Sequence, residues 1–280
     1  MKYIKFENLN KINLKKFLKE KSISLRASQD LFKKGIIVND EVVFNNIQLD
    51  YGDIIKIKID EEELDYKPIT EKIDIIYEDD NILVINKPSG VTVNSKNQIS
   101  LSNYLANYFQ ENKIKAKIRL VNRLDMNTSG LMMVAKNKYA QAYYQKEIEE
   151  NHTEKKYIAC VEGELKIDQL YKIQLAYDEI SKSYIENKDG SLAITYFNTV
   201  ESNCKYSIIE CTIKTGKTHQ IRASLKTLGH PILGDKLYGS SYELPRFLLH
   251  SYYLAFNEFV SQERIILRNI VDFKTFLTNL

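Results

Sequence analysis

Polar and apolar positions near the start of the chain repeat with the period of a helix. Leu14, Phe17 and Leu18 fall at helical spacing, and Leu31 and Phe32 lie in a second short amphipathic run. A glycine follows the second run, in the position where helices commonly end. The pattern therefore predicts two short helices within the first thirty-five residues.

Strand patterns follow these two helices. Residues 36–43 are rich in β-branched side chains and are interrupted by Asn39 and Asp40, which predicts a hairpin that turns at this pair. Residues 54–59 alternate isoleucine with lysine and predict a further strand. Residues 1–62 are therefore expected to form a small α+β domain.

The composition changes abruptly at residues 60–68, where a run of acidic side chains is followed by Lys67 and Pro68. Such a run is more typical of an exposed connection than of a core. We therefore expect residues 63–70 to form a linker and residues 71–280 to form a second domain.

The second domain is predicted to be dominated by strands. Its patterns do not alternate regularly between strand and helix, so the expected class is α+β, with a mixed, mostly antiparallel sheet. Helices are predicted at 101–109 and 139–148. Residues 73–86 are predicted to form two strands that turn at 79–81, and further strands are predicted at 155–161, 193–200, 206–213 and 247–256.

Composition places the chain among ordinary globular proteins. Its 280 residues are 44% hydrophobic and 28% charged, and the net charge of +3 is only mildly basic. Any binding of nucleic acid must therefore come from local basic patches. The N-terminus lacks the features of a signal peptide and no apolar run reaches membrane-spanning length, so we expect a cytoplasmic protein without membrane contact. We also expect a monomer.

Cysteine and histidine usage does not predict a metal site. Cys160, Cys204 and Cys211 have no spacing that suits zinc, and we expect all three to be buried. His219 and His230 are expected to have structural roles, His219 by bonding the backbone. Residues 216–218 read Gly-Lys-Thr, but the earlier glycine of a phosphate loop is absent, so no nucleotide cofactor is expected.

The candidate chemistry lies in residues 121–130, which read Val-Asn-Arg-Leu-Asp-Met-Asn-Thr-Ser-Gly. This stretch places Asp125 between two apolar runs of strand length, 118–121 and 131–135. A carboxylate at the end of buried strands needs a partner, and either Arg123 in the same stretch or Arg222 in the dense motif 215–222 could supply one. The alternative is a turn residue, since Asp favours such positions.

The Arg-Leu-Asp motif with its following Thr-Ser-Gly-Leu run resembles the signature of the RluA-type pseudouridine synthases. Asn122, Lys217 and the Val-Asn-Ser run at 93–95 depart from the residues that many members carry. Further segments resemble family motifs in family order: Lys-Pro-Ser-Gly at 87–90, Lys-Tyr-Ile-Ala-Cys-Val-Glu-Gly at 156–163, the run 216–222, His-Pro-Ile-Leu-Gly-Asp at 230–235 and Leu-Leu-His at 248–250.

The resemblance implies isomerisation of uridine to pseudouridine in RNA without a cofactor. It makes Asp125 the catalytic residue, as a nucleophile or as the base for an elimination, and Arg222 its ion-pair partner. Tyr157 would hold the detached uracil and assist proton removal, Arg123 would replace the flipped nucleotide in the RNA stack, and Lys217 would contact RNA. The alternatives are a structural Arg222, a core tyrosine, and an Arg123 that pairs with Asp125.

The N-terminal pattern resembles an S-four-like RNA-binding domain. The resemblance implies that basic side chains on its helical part contact phosphates, although such runs are usually a solvated face. These candidates are Lys15, Lys16, Lys19, Arg26, Lys33 and Lys34. The domain favours ribosomal RNA as substrate, with tRNA as the alternative. A rival hypothesis is a non-catalytic RNA-binding protein that assists ribosome assembly.

Overall fold

Two large sheets and one pair of short strands organise the chain in a computed structural model that describes residues 2–95 and 97–277. A four-stranded sheet lies within the first 59 residues, and an eleven-stranded sheet is built from residue 74 onward. The larger sheet is antiparallel throughout except for one parallel pair, so the prediction of an α+β fold on a mixed, mostly antiparallel sheet is confirmed.

The N-terminal part contains the two predicted helices and the predicted hairpin. Both helices begin with a side-chain cap, in which Asn13 accepts from the Lys16 amide and Ser24 from the Ala27 amide. Its elements are β1 (Lys2–Glu7), β2 (Ile12–Asn13), α1 (Leu14–Glu20), α2 (Leu25–Lys34), β3 (Ile36–Val38), β4 (Glu41–Val43), β5 (Gln48–Leu49) and β6 (Ile54–Ile59).

The hairpin turns where the sequence predicts it. Asn39 and Asp40 have φ angles of 49° and 69°, the left-handed values that a tight hairpin turn between β3 and β4 requires. The sheet order is β1-β6-β3-β4, and β1 was not predicted. Its buried positions are Ile4 and Phe6, which are separated by exposed lysine, so the apolar signal is short.

The larger sheet carries the remaining strands, and helices pack on it. Its strands are β7 (Asp74–Glu78), β8 (Ile82–Lys87), β9 (Arg119–Leu120), β10 (Ser129–Ala135), β11 (Glu154–Glu162), β12 (Asp168–Asp178), β13 (Ser183–Glu186), β14 (Ser191–Ser202), β15 (Tyr206–Ile213), β16 (Leu249–Asn257) and β17 (Arg264–Arg268). The helices are α3 (Leu101–Glu111), α4 (Lys138–Glu149), α5 (Gln220–Thr227) and α6 (Lys274–Leu277).

The strand order of the larger sheet is β13-β12-β14-β15-β11-β16-β10-β8-β7, with β9 on β10 and β17 on β16. The parallel pair is β10 with β16, where Gly130 lies opposite Ser251. This pair brings the end of the Asp125 loop to the middle of the sheet. None of the helices in the described part of the chain is long and apolar enough to cross a membrane.

Residues 60–73 have no regular secondary structure, but they are held against the larger sheet. The Asp65 carboxylate accepts a hydrogen bond from the Ile118 amide at 2.9 Å, and Glu62 pairs with Arg119 at 2.7 Å. Tyr66 packs against the hydrophobic core of the second part. This segment is therefore fixed along its length.

The N-terminal unit and the larger sheet share one hydrophobic core. Phe6 of β1 contacts Phe259 edge-to-face, with ring centroids 5.2 Å apart, and both rings are fully buried. The same cluster continues through Tyr144 of α4 to Val84 of β8. Removal of the N-terminal unit would therefore expose aromatic surface of the second part.

The cysteine prediction is right for two residues and wrong for the third. Cys160 and Cys211 are buried within strands, and burial raises the pKa of the Cys160 thiol to about 12. Cys204 is exposed on the turn between β14 and β15, where a polar environment replaces the expected core.

Candidate active site

Asp125 lies in the loop that connects β9 and β10. The Thr128 amide donates to the Asp125 carbonyl at 3.1 Å and closes a turn directly after the carboxylate. Gly130 follows with φ of +114°, and a Cβ there would lie 2.2 Å from the Ser251 carbonyl oxygen. Only glycine permits this approach, which fixes the loop against β16.

Lys87 anchors the same loop from β8. Its side chain is fully buried, and Nζ donates to three backbone carbonyls, those of Pro88 and Met126 at 2.8 Å and of Thr128 at 3.0 Å. Burial lowers the pKa of the Lys87 ammonium to about 8, and nearby Asp125 offsets part of this shift. The sequence motif contains this lysine, but its local pattern does not reveal which carbonyls it binds.

An open cavity of about 270 Å³ lies beside the Asp125 loop. It is bounded by the loop, by β11, by the segment after β15 and by the first turn of α5. Its lining includes all five residues that the resemblance selected in the second domain: Arg123, Asp125, Tyr157, Lys217 and Arg222. Residues far apart in sequence therefore share one cavity.

Arg222 joins Asp125 to a second carboxylate. Its Nη1 donates to Asp125 Oδ2 at 3.1 Å, while Nε and Nη2 donate to the two oxygens of Asp235 at 2.7 and 2.9 Å. Burial alone would lower the pKa of the guanidinium, but Asp235 and Asp125 outweigh burial and raise it. The arginine stays charged, and its ion pair with Asp125 agrees with the sequence hypothesis.

Two aromatic rings enclose the guanidinium of Arg222. Its central carbon lies 4.9 Å from the Tyr238 ring centroid and 4.4 Å from that of Phe247, a geometry that favours a cation. Asp235 is only 1% exposed and has no other ion pair among the described residues. Sequence reasoning noticed Asp235 as part of a motif and did not assign it to the site.

Tyr157 lies in β11 with 6% of its surface exposed, and its hydroxyl hydrogen-bonds with Ser251. Burial raises the pKa of this hydroxyl well above its ordinary value, and Asp125 raises it further. The hydroxyl therefore keeps its proton at neutral pH. The ring is available to the cavity, but a phenolate base is not.

His219 also borders the cavity, which sequence reasoning did not foresee. Its Nδ1 contacts the Tyr238 hydroxyl at 3.0 Å, and its Nε2 lies 3.9 Å from Asp125 Oδ2. The expected backbone bond is thus replaced by a tyrosine partner. Burial lowers the pKa of this imidazole, although Asp125 opposes the shift.

Arg123 and Lys217 are exposed at the rim of the cavity. Within the described parts of the chain, neither side chain has a hydrogen bond or an ion pair. The pairing of Arg123 with Asp125 that the sequence left open is therefore absent there. Lys217 is placed by its backbone, whose amide donates to Gln220 Oε1 at 3.0 Å.

The basic candidates of the N-terminal unit lie on α1 and α2, apart from the cavity lining. Lys34 is engaged in ion pairs with Asp30 at 3.1 Å and with Asp60 at 3.0 Å. The remaining candidates are exposed and, in the residues described, their side chains have no partner: Lys15, Lys16, Lys19, Arg26 and Lys33.

Positive charge dominates the cavity. Its cationic lining consists of Arg123, Lys155, Lys217 and Arg222, whereas Asp125 is the sole carboxylate among its described lining residues. A concave surface of this kind attracts an anionic ligand. A separate group at the end of α4, formed by the half-buried Glu147 and the exposed Glu150 and His152, brings potential metal ligands together, and we assign it no ion.

Comparison with known proteins identifies the family of the chain. A sequence profile of the RNA pseudouridylate synthase family matches residues 81–227, which include Asp125 and Arg222. An "Uncharacterized RNA pseudouridine synthase YhcT" of Bacillus subtilis is 34% identical over 234 residues, which span 79% of this chain and 78% of the relative.

A second relative is named "Ribosomal large subunit pseudouridine synthase D" and comes from Neisseria meningitidis. It is 33% identical over 212 residues, which span 73% of this chain and 57% of that protein. The solved structure of human RNA Pseudouridylate Synthase Domain Containing 1 has the same fold, with a TM-score of 0.62 at 24% identity over 74% of this chain and 87% of that chain. The chain belongs to the RluA-type RNA pseudouridylate synthases, isomerases that convert uridine in RNA to pseudouridine.

Proposed function

We propose that this chain isomerises uridines of ribosomal RNA in the cavity beside Asp125, and that Asp125 is the reacting carboxylate. The observation that carries the proposal is the contact between Asp125 Oδ2 and Arg222 Nη1 at 3.1 Å, made by an arginine that Asp235 already holds. The guanidinium therefore holds the Asp125 carboxylate at the wall of the cavity, where a bound nucleotide would lie.

The reaction requires the bond between ribose carbon one and uracil nitrogen one to break. The uracil then turns, its carbon five joins ribose carbon one, carbon five loses its proton and nitrogen one gains one. Asp125 either adds to the nucleotide as a nucleophile or removes a ribose proton to start an elimination. Both routes need one carboxylate close to the sugar, and neither needs a cofactor.

The remaining residues of the cavity would hold the nucleotide outside the RNA stack. The ring of Tyr157 offers an aromatic face for the detached uracil. Because its hydroxyl is already protonated, Tyr157 cannot simply take up the proton that carbon five loses. It can relay that proton only if it gives up its own proton in the same step. Arg123, exposed at the rim without a partner among the described residues, would fill the gap left by the flipped nucleotide, whose extrusion costs a few kcal/mol. Lys217 would bind a phosphate nearby.

The N-terminal unit would supply affinity for RNA. We propose residues 1–62 as an S-four-like RNA-binding domain, joined through 63–70 to a catalytic domain at 71–280. Because Lys34 is engaged in ion pairs, the proposed phosphate contacts are those of the exposed Lys15, Lys16, Lys19, Arg26 and Lys33. A monomer in the cytoplasm is the form we propose.

Ribosomal RNA is favoured as substrate because a relative that is 33% identical is named for the large ribosomal subunit. tRNA is the alternative, since recognition of this kind depends on RNA shape and splayed loop nucleotides. The rival hypothesis is a non-catalytic assembly factor. The presence of Asp125, Tyr157 and Arg222 together in the cavity argues against it, because a protein without turnover has no need of them.

Pseudouridine mapping in total RNA tests the proposal. Cells without the gene should lack pseudouridine at one or more uridines, and the wild-type gene should restore it. Asp125→Asn removes the reactive charge at nearly constant shape, so it should bind RNA but restore nothing. If the Asp125→Asn gene restored pseudouridine, Asp125 could not be the reacting carboxylate. If pseudouridine were lost from tRNA alone, the substrate would be tRNA and not ribosomal RNA.

A further inference from the structure

Lys155 is a buried lysine in the wall of the cavity that the chemistry described above does not use. It lies in β11, two residues before Tyr157, and its side chain is only 8% exposed. In the parts of the chain that the structure describes, its ammonium has neither a hydrogen bond nor an ion pair. Lys87, in contrast, is fully buried but binds three backbone carbonyls.

A buried ammonium without a partner is unfavourable, and proteins rarely keep one without a use. Burial lowers the pKa of Lys155 to about 8 and is the sole cause of the shift, so no carboxylate compensates the charge. Asp125 raises the pKa of Lys87, whereas no carboxylate among the described residues contacts the ammonium of Lys155. The positive charge of Lys155 therefore faces the cavity uncompensated.

We propose that Lys155 binds a phosphodiester oxygen of the RNA next to the flipped uridine and thereby seats the nucleotide in the cavity. The proposal rests on the proposed site around Asp125. A phosphate supplies the full negative charge that the lysine lacks, whereas a uracil carbonyl supplies only a dipole. The other rim cations, Arg123 and Lys217, are exposed, so a phosphate at Lys155 is the one that is desolvated.

The spacing on β11 suits this assignment. Alternate residues of a strand are roughly 7 Å apart, and both Lys155 and Tyr157 line the cavity. A nucleotide carries its base on ribose carbon one and its phosphates on the oxygens of carbons three and five, so one nucleotide can reach both residues. Tyr157 would then contact the base and Lys155 the adjoining phosphate.

A charge-neutral linkage in the RNA tests the contact directly. The probe is a short synthetic RNA hairpin that carries the uridine found by mapping, made with native linkages or with one methylphosphonate on either side of that uridine. For the wild-type chain, one of the two neutral linkages should raise KM at least about tenfold. Lys155→Met should raise KM for the native hairpin by a similar factor, and the neutral linkage should then cost nothing further.

Control variants separate this contact from a general effect. Lys156→Met alters the neighbouring lysine, which pairs with Glu210 and Glu154, and should leave KM and the methylphosphonate effect unchanged. Lys155→Arg keeps the charge and should keep sensitivity to the neutral linkage, so the test survives even if Lys155→Met folds poorly.

Two results would overturn the proposal. In the first, each methylphosphonate would raise KM by the same factor in Lys155→Met as in the wild type. The two effects would then be independent, and Lys155 would contact neither phosphate. A lower kcat with unchanged KM for Lys155→Met would instead assign the lysine to the base. Failure of the proposed function is a distinct outcome, because the wild-type chain would then modify neither hairpin.

Discussion

Asp235 accepts two hydrogen bonds from Arg222, from Nε at 2.7 Å and from Nη2 at 2.9 Å, and both side chains are almost completely buried. This contact leaves Nη1 of the same guanidinium directed at Asp125. Paired bonds of this kind fix the plane of the arginine as well as its position. Asp235 therefore determines where the positive charge beside the Asp125 carboxylate lies.

Asp235→Asn should lower turnover at saturating RNA by about a hundredfold, because a displaced guanidinium no longer meets Asp125 in the right place. The RNA dissociation constant should change little, since Asp235 does not line the cavity. Single-turnover kinetics and filter binding measure the two quantities. Equal loss of binding and turnover would mean that Asp235 supports the whole site and does not specifically orient Arg222.

Lys87→Met should also reduce turnover more than binding, for a different reason. The variant removes the donor to the carbonyls of Met126 and Thr128, so the Asp125 loop loses its anchor to β8. Amide hydrogen exchange across residues 121–128 should accelerate together with the loss of turnover. Lys136→Met removes a different buried lysine, which binds Glu78 and the Asp79 carbonyl, and should leave loop exchange unchanged. Unchanged exchange in Lys87→Met would contradict the anchoring role.

The sequence predicts elements whose residues alternate cleanly between buried and exposed. The hairpin at 36–43 and the strand at 206–213 were predicted correctly for this reason. The helix α5 was missed because Gln220, Arg222 and Ser224 are buried polar residues, so no amphipathic stripe is visible. Tertiary partners satisfy two of these side chains, namely Thr195 for Gln220 and Asp235 for Arg222.

Local pattern alone could not assemble the site. Asp125 and Arg222 are 97 positions apart, and only the resemblance to a family paired them before the structure placed them at 3.1 Å. The contacts of Lys87 and Asp235 depend on how β8 and the segment after α5 meet the loop. Lys155 and Lys156 are adjacent and chemically identical, yet one is buried in the cavity and the other pairs with Glu210. Strand register decides between them.

Lys155 should make stability depend on pH in a defined window. Its folded pKa of about 8 lies below the ordinary value of 10.5, so the unfolded chain binds more protons between these values and stability rises with pH there. Below pH 8 the folded state bears the full cost of the buried charge, about 3 kcal/mol.

Lys155→Met should therefore unfold at a higher denaturant concentration than the wild type at pH 7, and the difference should shrink steadily towards pH 10. The other titratable groups of the cavity are common to both chains and cancel in this difference: Arg123, Asp125, Tyr157, Lys217, His219 and Arg222. Urea unfolding at several pH values provides the measurement. A variant less stable than the wild type at pH 7 would mean that Lys155 has a compensating partner.

The exposed cations of α1 and α2 should set the salt dependence of RNA binding. Lys33 and Lys34 form a matched pair, because Lys33 is exposed without a partner among the described residues whereas Lys34 pairs with Asp30 and Asp60. If Lys33 contacts a phosphate, Lys33→Gln should reduce the slope of log affinity against log salt by about 0.7 to 0.9, since one fewer counterion is released. Lys34→Gln should change this slope less.

Turnover at saturating RNA should survive in both variants, because α2 lies outside the cavity lining. Equal slopes in Lys33→Gln, Lys34→Gln and the wild type, measured by fluorescence anisotropy at several salt concentrations, would mean that these lysines form only a solvated face.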